Sequence, residues 1–600
     1  MKENKFHLML SDKLGKKESR ADLFASVASP GLLFLISFFY FLWLGNGIFF
    51  LQEKKSLFIF SVEYLQKFLV KPGGLLEYAG NFLTQGYFSN TYGSLVNSLF
   101  LLLFYALFIR INRLLSEDNS FSLVIVLMPS CQLLLMQIHE DHFIHYTIGY
   151  LLTAFCFLTL ISETKRLYLI PVLFSLLFYL TGTFAFLFSL IFISYCLAFK
   201  KGIQRYLLPV ILLITAFVTY VVFEEVLFLQ PPDRLLSYPL NIFDFATQNR
   251  GELILWGYMI LFPLIVKINA KIKTNEGFSL LPKLSLLILF FLTLFILGIR
   301  YDPERKNDLQ IEEYFTEQNW DAVIEQHEKI PSKNFIGQYY YNLSLTWKGQ
   351  LCDRMFFGNQ DYGIKSLTLP RNRDNLGRSS YFYYATGMIN EAHHLAYESM
   401  VIDGYCPENL KMLIRTDIIN GNYKSAERFI NILKKTLHYR KWTEKFEKML
   451  FKPEIVYSDP ELCDKIKLQP GKDFFIRPDD KENIDLLLVA NPDNKKAFEY
   501  KMAFLMLEKE YRAVMYQVKR MKDMKYNRIP RHIEESMMIF IDHKDELPYL
   551  GDFKISKETE DRFSHFLTDL SNNRTKKRPE LEQSMKKLWG NTYWYYFEFK

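Results

Sequence analysis

Residues 167–199 read LYLIPVLFSLLFYLTGTFAFLFSLIFISYCLAF, a run without one charged side chain. As a single helix it would be about 50 Å long, against a bilayer hydrocarbon core of about 30 Å. Tilt does not absorb that excess. Gly182, flanked by Thr181 and Thr183, lies mid-run and predicts a turn between two short apolar helices. The reading of this turn decides the fold, because it sets on which side of a membrane every later loop falls.

Further candidate spans lie at 31–51, 93–110, 121–138, 143–161, 206–229, 252–268 and 279–299. With the split at Gly182 the count is about nine. Basic residues, which favour the cytoplasmic side, test it. With a cytoplasmic N-terminus and nine spans, the inner segments hold 17 of the 24 Lys and Arg residues before position 301, among them Lys165, Arg166, Lys200, Lys201 and Arg205. Eight spans would put the FKKGIQRY cluster outside. The expected class is therefore all-α: a basic cytoplasmic N-terminus at 1–30, a polytopic transmembrane helix bundle at 31–300, and a soluble extracytoplasmic domain at 301–600. The expected location is a bacterial inner membrane, with the C-terminal domain periplasmic and the lipid bilayer itself a partner.

Composition agrees with two unlike halves. Half of the 600 residues are hydrophobic and 23% are charged. Lys plus Arg against Asp plus Glu stands at 24 to 18 before residue 301 and 48 to 47 after it, so the excess of positive charge sits in the apolar half. A nucleic-acid binder would place it on the polar half, and no nucleic-acid partner is expected. The six cysteines have no CxxC spacing, so neither a disulfide framework nor a zinc knuckle is indicated. The basic N-terminus precedes an apolar run near Pro30 with no small-residue cleavage site, the pattern of an uncleaved anchor.

The nine-span reading puts HEDHFIHY, residues 139–146, in the second outer loop. His139, His142 and His145 recur every third residue, a spacing that can present imidazoles to a divalent metal such as zinc. Satisfied or solvated residues at a membrane lip are the plainer alternative. Other acids share this side: Glu53 after the first span, Glu63, Glu77, Glu224, Glu225, and then Asp233, Asp244 and Glu252 with Arg234 and Arg250. Ionisable groups beside lipid mark a site when they face the protein interior. In the first outer loop, Phe58, Val62, Leu65 and Leu69 share a helical face suited to lying in the membrane interface, ended by Pro72-Gly73-Gly74.

After residue 305 the pattern is helical with short breaks. GMINEAHHLAYESM (387–400) and GNYKSAERFINILKK (421–435) set Ala392, Ala396, Ala426 and Phe429 where paired helices pack, which resembles a degenerate tetratricopeptide (TPR-like) helical repeat. Such stacks offer a groove to another protein or a polymer. The Pro- and Asp-rich stretch 450–485 is expected to interrupt the helices. The aromatic clusters 381–387 and 589–600 are read chiefly as core, with stacking on sugars as the alternative, and the second is expected to dock back on the last helices. Glu391 with His394 reads as an exposed helix face. No phosphate loop, Ser-His-Asp signature or HExxH motif is present.

The layout, and especially PGGLLEYAGNFLTQGYF and NPDNKKAFEY, resembles an uncharacterised family of Bacteroidota membrane proteins that pair a multi-span half with a helical-repeat tail. The architecture also looks like a C-class (GT-C) glycosyltransferase, which implies a polyprenyl-phosphate-linked sugar as donor. That resemblance implies Glu53 as the base, Glu140 and Asp141 as the acids of the second outer loop, and Arg234 or Arg250 near the lipid phosphate, with His142 beside the substrate. The class carries Asp at the first of these places, whereas here it is Glu53, followed by two lysines. Two alternatives remain open: a non-catalytic anchor whose repeat domain organises envelope proteins, and a transporter or flippase accessory.

Overall fold

The computed structural model describes residues 20–116, 123–162, 168–240, 250–271, 280–543 and 553–600, which contain helices and no strand. The chain divides into two compact units, Met1–Asp302 and Pro303–Lys600.

In the first unit four helices are long and apolar enough to cross a membrane: Asn90–Leu115, Ile144–Ser162, Gln204–Phe228 and Arg250–Ala270. Counting each of two bent helix pairs as one span raises the number to six. The remaining apolar segments form shorter helices, Leu123–Gln137, Ile170–Thr181 and Phe184–Phe199. At 1.5 Å per residue the 12 residues of Ile170–Thr181 rise only about 18 Å, which is why length alone does not qualify them as spans. The Gln204–Phe228 helix turns Val210, Ile214, Phe217 and Val218 outward, a stripe of exposed apolar side chains that water would penalise.

The turn expected at Gly182 is present. One helix ends at Thr181, the next begins at Phe184, and Gly182 takes φ +59°. Only glycine suits this place, because a Cβ there would lie 2.2 Å from the Tyr238 carbonyl oxygen. Thr183 N–H donates to that same oxygen at 3.1 Å, and Tyr179 O accepts from Gly73 N–H at 2.9 Å. The turn is thereby tied to the chain near residues 73 and 238. Gln52 donates to His142 O, Gln132 to Gly251 O and Arg300 to Leu135 O, while Lys267 donates to Ala198 O. These bonds hold the ends of neighbouring helices together.

The loop after the first bent helix holds two helices. Ser61 caps Val62–Leu69 by accepting from Tyr64 N–H, and Gly74–Thr84 follows a left-handed Gly73. The face inferred from sequence is the exposed one, with Val62 and Leu69 outward. Tyr64 and Phe68, one turn apart, form the buried side, and Phe58, expected on the outer face, precedes the helix and packs edge-on against Tyr64. Bulkier aromatics won the buried side.

The second unit is a succession of short helices about an aromatic core. Tyr339, Tyr340 and Tyr341 are all buried, and each hydroxyl finds an acceptor, Arg378 O, Glu312 and Arg354 O. Leu376–Thr386, Ile389–Asp403, Pro407–Ile419 and Tyr423–Lys434 pack in sequence, with Ala392, Ala396 and Ala426 fully buried where helices approach. The 450–485 stretch is more helical than expected. Pro453 and Pro460 open helices Pro453–Ser458 and Pro460–Leu468 rather than interrupting one, because proline's fixed φ and missing N–H are harmless in a first turn.

Candidate functional site

The His-Glu-Asp loop lies between Leu123–Gln137 and Ile144–Ser162, and the end of the first bent helix pair is stitched to it. After a 79° bend, Gly47–Lys55 carries Gln52 and Glu53 into the bundle, where both are buried. Gln52 Nε2 donates to His142 O at 2.9 Å and reaches Glu140 O at 3.5 Å. Lys55 pairs with Asp141 at 3.3 Å, with both side chains about half exposed. Ser56 and Thr84 hydroxyls meet at 2.7 Å. Glu53 and the loop acids Glu140 and Asp141, separated by almost ninety residues of chain, are thus brought to one end of the bundle.

A polar layer extends inward from there. His142 Nε2 lies 3.2 Å from Thr147 Oγ1, which also accepts from Gln137 Nε2 at 3.2 Å. Burial, helped by the nearby His139, pulls the His142 imidazole down to about 3, so it is neutral at physiological pH. His145 is buried against Tyr146, ring centroids 4.3 Å apart. Gly80 allows this: a Cβ there would come within 2.6 Å of His145 Cβ. Tyr146 lies near Glu77, Asp141 and Glu252 at once. Lys71 pairs with Glu77 at 3.0 Å and sits 3.8 Å above the Tyr238 ring. The Tyr150 hydroxyl and the Trp256 indole answer one another, while among the described residues Gln137 Oε1 and Glu252 Oε2 are buried with no hydrogen-bond partner. Buried polar atoms are nearly always paired, so these two acceptors set this layer apart.

The residues singled out from sequence divide. Glu53, Glu140, Asp141, His142 and His145 gather at this end. His139 accepts from Asp141 N–H at 3.2 Å instead of facing the other two histidines. Among the described residues no three His, Cys, Asp or Glu side chains stand where a metal ion could be held, so this donor set does not fit a metal and no step is derived through one. Arg250 is exposed at the start of its helix. The side chain of Arg234 and the whole of Asp244 lie outside the described residues. Cations at the cluster include Lys55 and Lys71, and neither was singled out, nor were Gln52, Gln137, Thr147 and Trp256. Lys71 and Tyr238 flank Pro-Gly-Gly and Tyr-Pro turns, the one signal in the sequence that their backbones approach something closely.

The fold and this end cluster define an all-helical protein with several helices able to cross a membrane and a buried polar layer at one end of the bundle. The chain belongs to the Family of unknown function (DUF6057), whose profile matches residues 23–600. No curated protein and no solved structure matches it.

Proposed function

We propose that the protein is a multi-pass enzyme of the cell envelope that transfers a sugar from a polyprenyl-phosphate carrier, in the manner of C-class glycosyltransferases. The observation that carries this reading is buried Glu53, on a helix end bonded through Gln52 to the Glu140-Asp141 loop, at the same end of the bundle as the polar layer of His142, Thr147 and Gln137. The turn at Gly182 and the basic-residue census support nine crossings, with the pair flanking Gly182 as two short ones, so that the TPR-like second unit follows the ninth on the periplasmic side. In the step, Glu53 takes the proton of an acceptor hydroxyl while its oxygen bonds the anomeric carbon. The anomeric C–O bond to the carrier breaks, and the carrier phosphate leaves with the electron pair. Lys55 and Lys71 are the cations placed to meet the growing phosphate charge, in the role first read for Arg234 and Arg250. Neutral His142 can give a hydrogen bond to the sugar without repelling those lysines.

The test is release of polyprenyl phosphate from a radiolabelled carrier-linked sugar by purified protein in lipid. Glu53→Gln should keep abundance and unfolding temperature and lower the rate at least about 100-fold, the usual weight of a general base. Unchanged turnover in Glu53→Gln, or none in the wild type with a panel of such carriers, would refute the assignment in favour of a scaffold.

A further inference from the structure

We propose that the second unit has a carbohydrate-binding cleft of its own, shaped for one neutral pyranose ring of a glycan, lined by Trp320, Trp347, Tyr381, Tyr384 and Trp442. The cleft encloses about 180 Å³, the scale of a single sugar ring rather than of a peptide or lipid chain. Three of the chain's seven tryptophans meet there, each only partly buried. Trp320 and Trp347 stack face to face, centroids 5.2 Å apart and planes 5° from parallel, a rigid pair in the lining. The Trp442 ring lies over the Arg415 guanidinium at 5.3 Å and is braced by the tilted Phe446 ring at 4.2 Å. Such wide, rigid faces with polar tips suit the C–H face of a pyranose.

The floor is fixed in place. Arg415, fully buried, pairs with Glu461 at 3.2 Å, and Tyr384 donates to the same carboxylate oxygen at 2.9 Å. Lys465 Nζ sits over the Trp347 ring, 4.1 Å from its centre. Trp347 Nε1 is a buried donor with no acceptor among the described residues, on a side chain that lines the cleft. Buried N–H groups are nearly always paired, which sets this donor apart.

Charge selects the ligand class. The lining holds Lys411 and Arg415 against Glu317 and Glu408, a balanced set. A phosphate or uronate would meet two carboxylates, and a quaternary ammonium would meet two cations. A neutral sugar uses both signs, its hydroxyls accepting from Lys411 and donating to Glu408. The inference stands on the second unit alone and does not need the transferase reading.

The experiment uses the full chain in a sugar-free detergent, because maltoside headgroups would occupy the cleft. Tryptophan fluorescence is titrated with methyl glycosides of glucose, galactose, mannose and N-acetylglucosamine, and the same protein is applied to an array of neutral and acidic oligosaccharides. At least one neutral glycan should give a saturable signal. Trp442→Ala should weaken it at least tenfold, Trp442→Phe less than threefold, and Glu408→Gln threefold or more, all at unchanged unfolding temperature. Glu53→Gln should bind as wild type does, which separates this site from the transferase step. No saturable neutral glycan, preference for acidic glycans or nucleosides, or full binding by both Trp442→Ala and Glu408→Gln would overturn the proposal. If Trp442→Ala fails to fold, the Glu408→Gln result decides.

Discussion

Two carboxylates, one buried and one half-buried, show how differently the two units treat charge. Glu535, fully buried in the second unit, has every lone pair answered. His532 Nδ1 and Tyr593 N–H lie 2.8 Å from one oxygen, Arg531 and Arg562 reach the other at 3.0 and 2.9 Å, and its backbone oxygen accepts from Trp594 Nε1. Burial pushes its carboxyl up, but His532, Arg531 and the Tyr593 N–H outweigh that and hold it at about 2. Glu252, in the first unit, leaves one oxygen buried and unanswered beside Tyr146 and Tyr150. The first is a rivet that fastens the aromatic C-terminus onto helix Arg531–Asp542. The second leaves a buried oxygen open, and a ligand of the proposed reaction would belong beside it.

The largest effect should therefore come from breaking the rivet. Glu535→Ala strands two guanidinium groups and an imidazole, and we expect a loss of roughly 3–5 kcal/mol in chemical denaturation, with hydrogen exchange speeding first in Tyr593–Phe599. Glu252→Gln should stay within about 1 kcal/mol of wild type, since no partner is lost. Equal costs for the two would erase the comparison. As a carboxylate with a depressed folded pKa, Glu535 contributes stability that is present above about 4.5 and is lost as the pH falls toward about 2.

Next in size is Gly182→Ala. It combines a left-handed backbone with a clash against the Tyr238 carbonyl, and should cost roughly 2–4 kcal/mol, read as a lower unfolding temperature in detergent. Wild-type stability would mean that the turn is looser than its hydrogen bonds imply.

That turn was legible in the sequence for the same reason that it is fragile: a glycine between threonines, in an apolar run too long for one helix, has few other uses. The docking of residues 589–600 was legible as well, because seven aromatics within twelve residues must find cover. The meeting of Glu53 with the 139–146 loop was only half legible. Gln52 binds backbone oxygens ninety residues away, and a backbone oxygen leaves no mark in a sequence. The histidine periodicity misled because 139–143 is not helical, so the three imidazoles never share a face. The Pro- and Asp-rich stretch misled because a proline reads as a break unless its place in the first turn is known.

A third prediction sets Glu535 against another acid of its own unit. Glu499 is buried with Oε2 lacking a hydrogen bond among the described residues, and burial raises it to about 7, opposed by Lys496, 3.8 Å from that oxygen. Its raised pKa means stability present below about 4.5 and lost as the pH climbs through about 7. Glu499→Gln should thus gain roughly 1–3 kcal/mol at pH 8 and change nothing at pH 4. Denaturation curves at the two pH values check it, and a gain at pH 4 alone would reverse the sign of the argument.

The smallest stability effect is expected at the rim of the proposed site. Lys55 and Asp141 approach to 3.3 Å, but with about half of each side chain in solvent the pair is screened, and holding two flexible chains together costs entropy. Lys55→Gln should shift stability by less than about 1 kcal/mol, and by nothing measurable in high salt. Turnover should respond differently. If Lys55 meets the departing carrier phosphate, its loss removes a charge-assisted contact formed only as the bond breaks, and the rate should fall about tenfold or more while the binding of the carrier changes little. A rate loss without a stability loss places Lys55 in the reaction. A silent Lys55→Gln would leave Lys71 as the cation facing the phosphate, and a stability loss matching that of Glu535→Ala would mean that this end of the bundle is riveted after all.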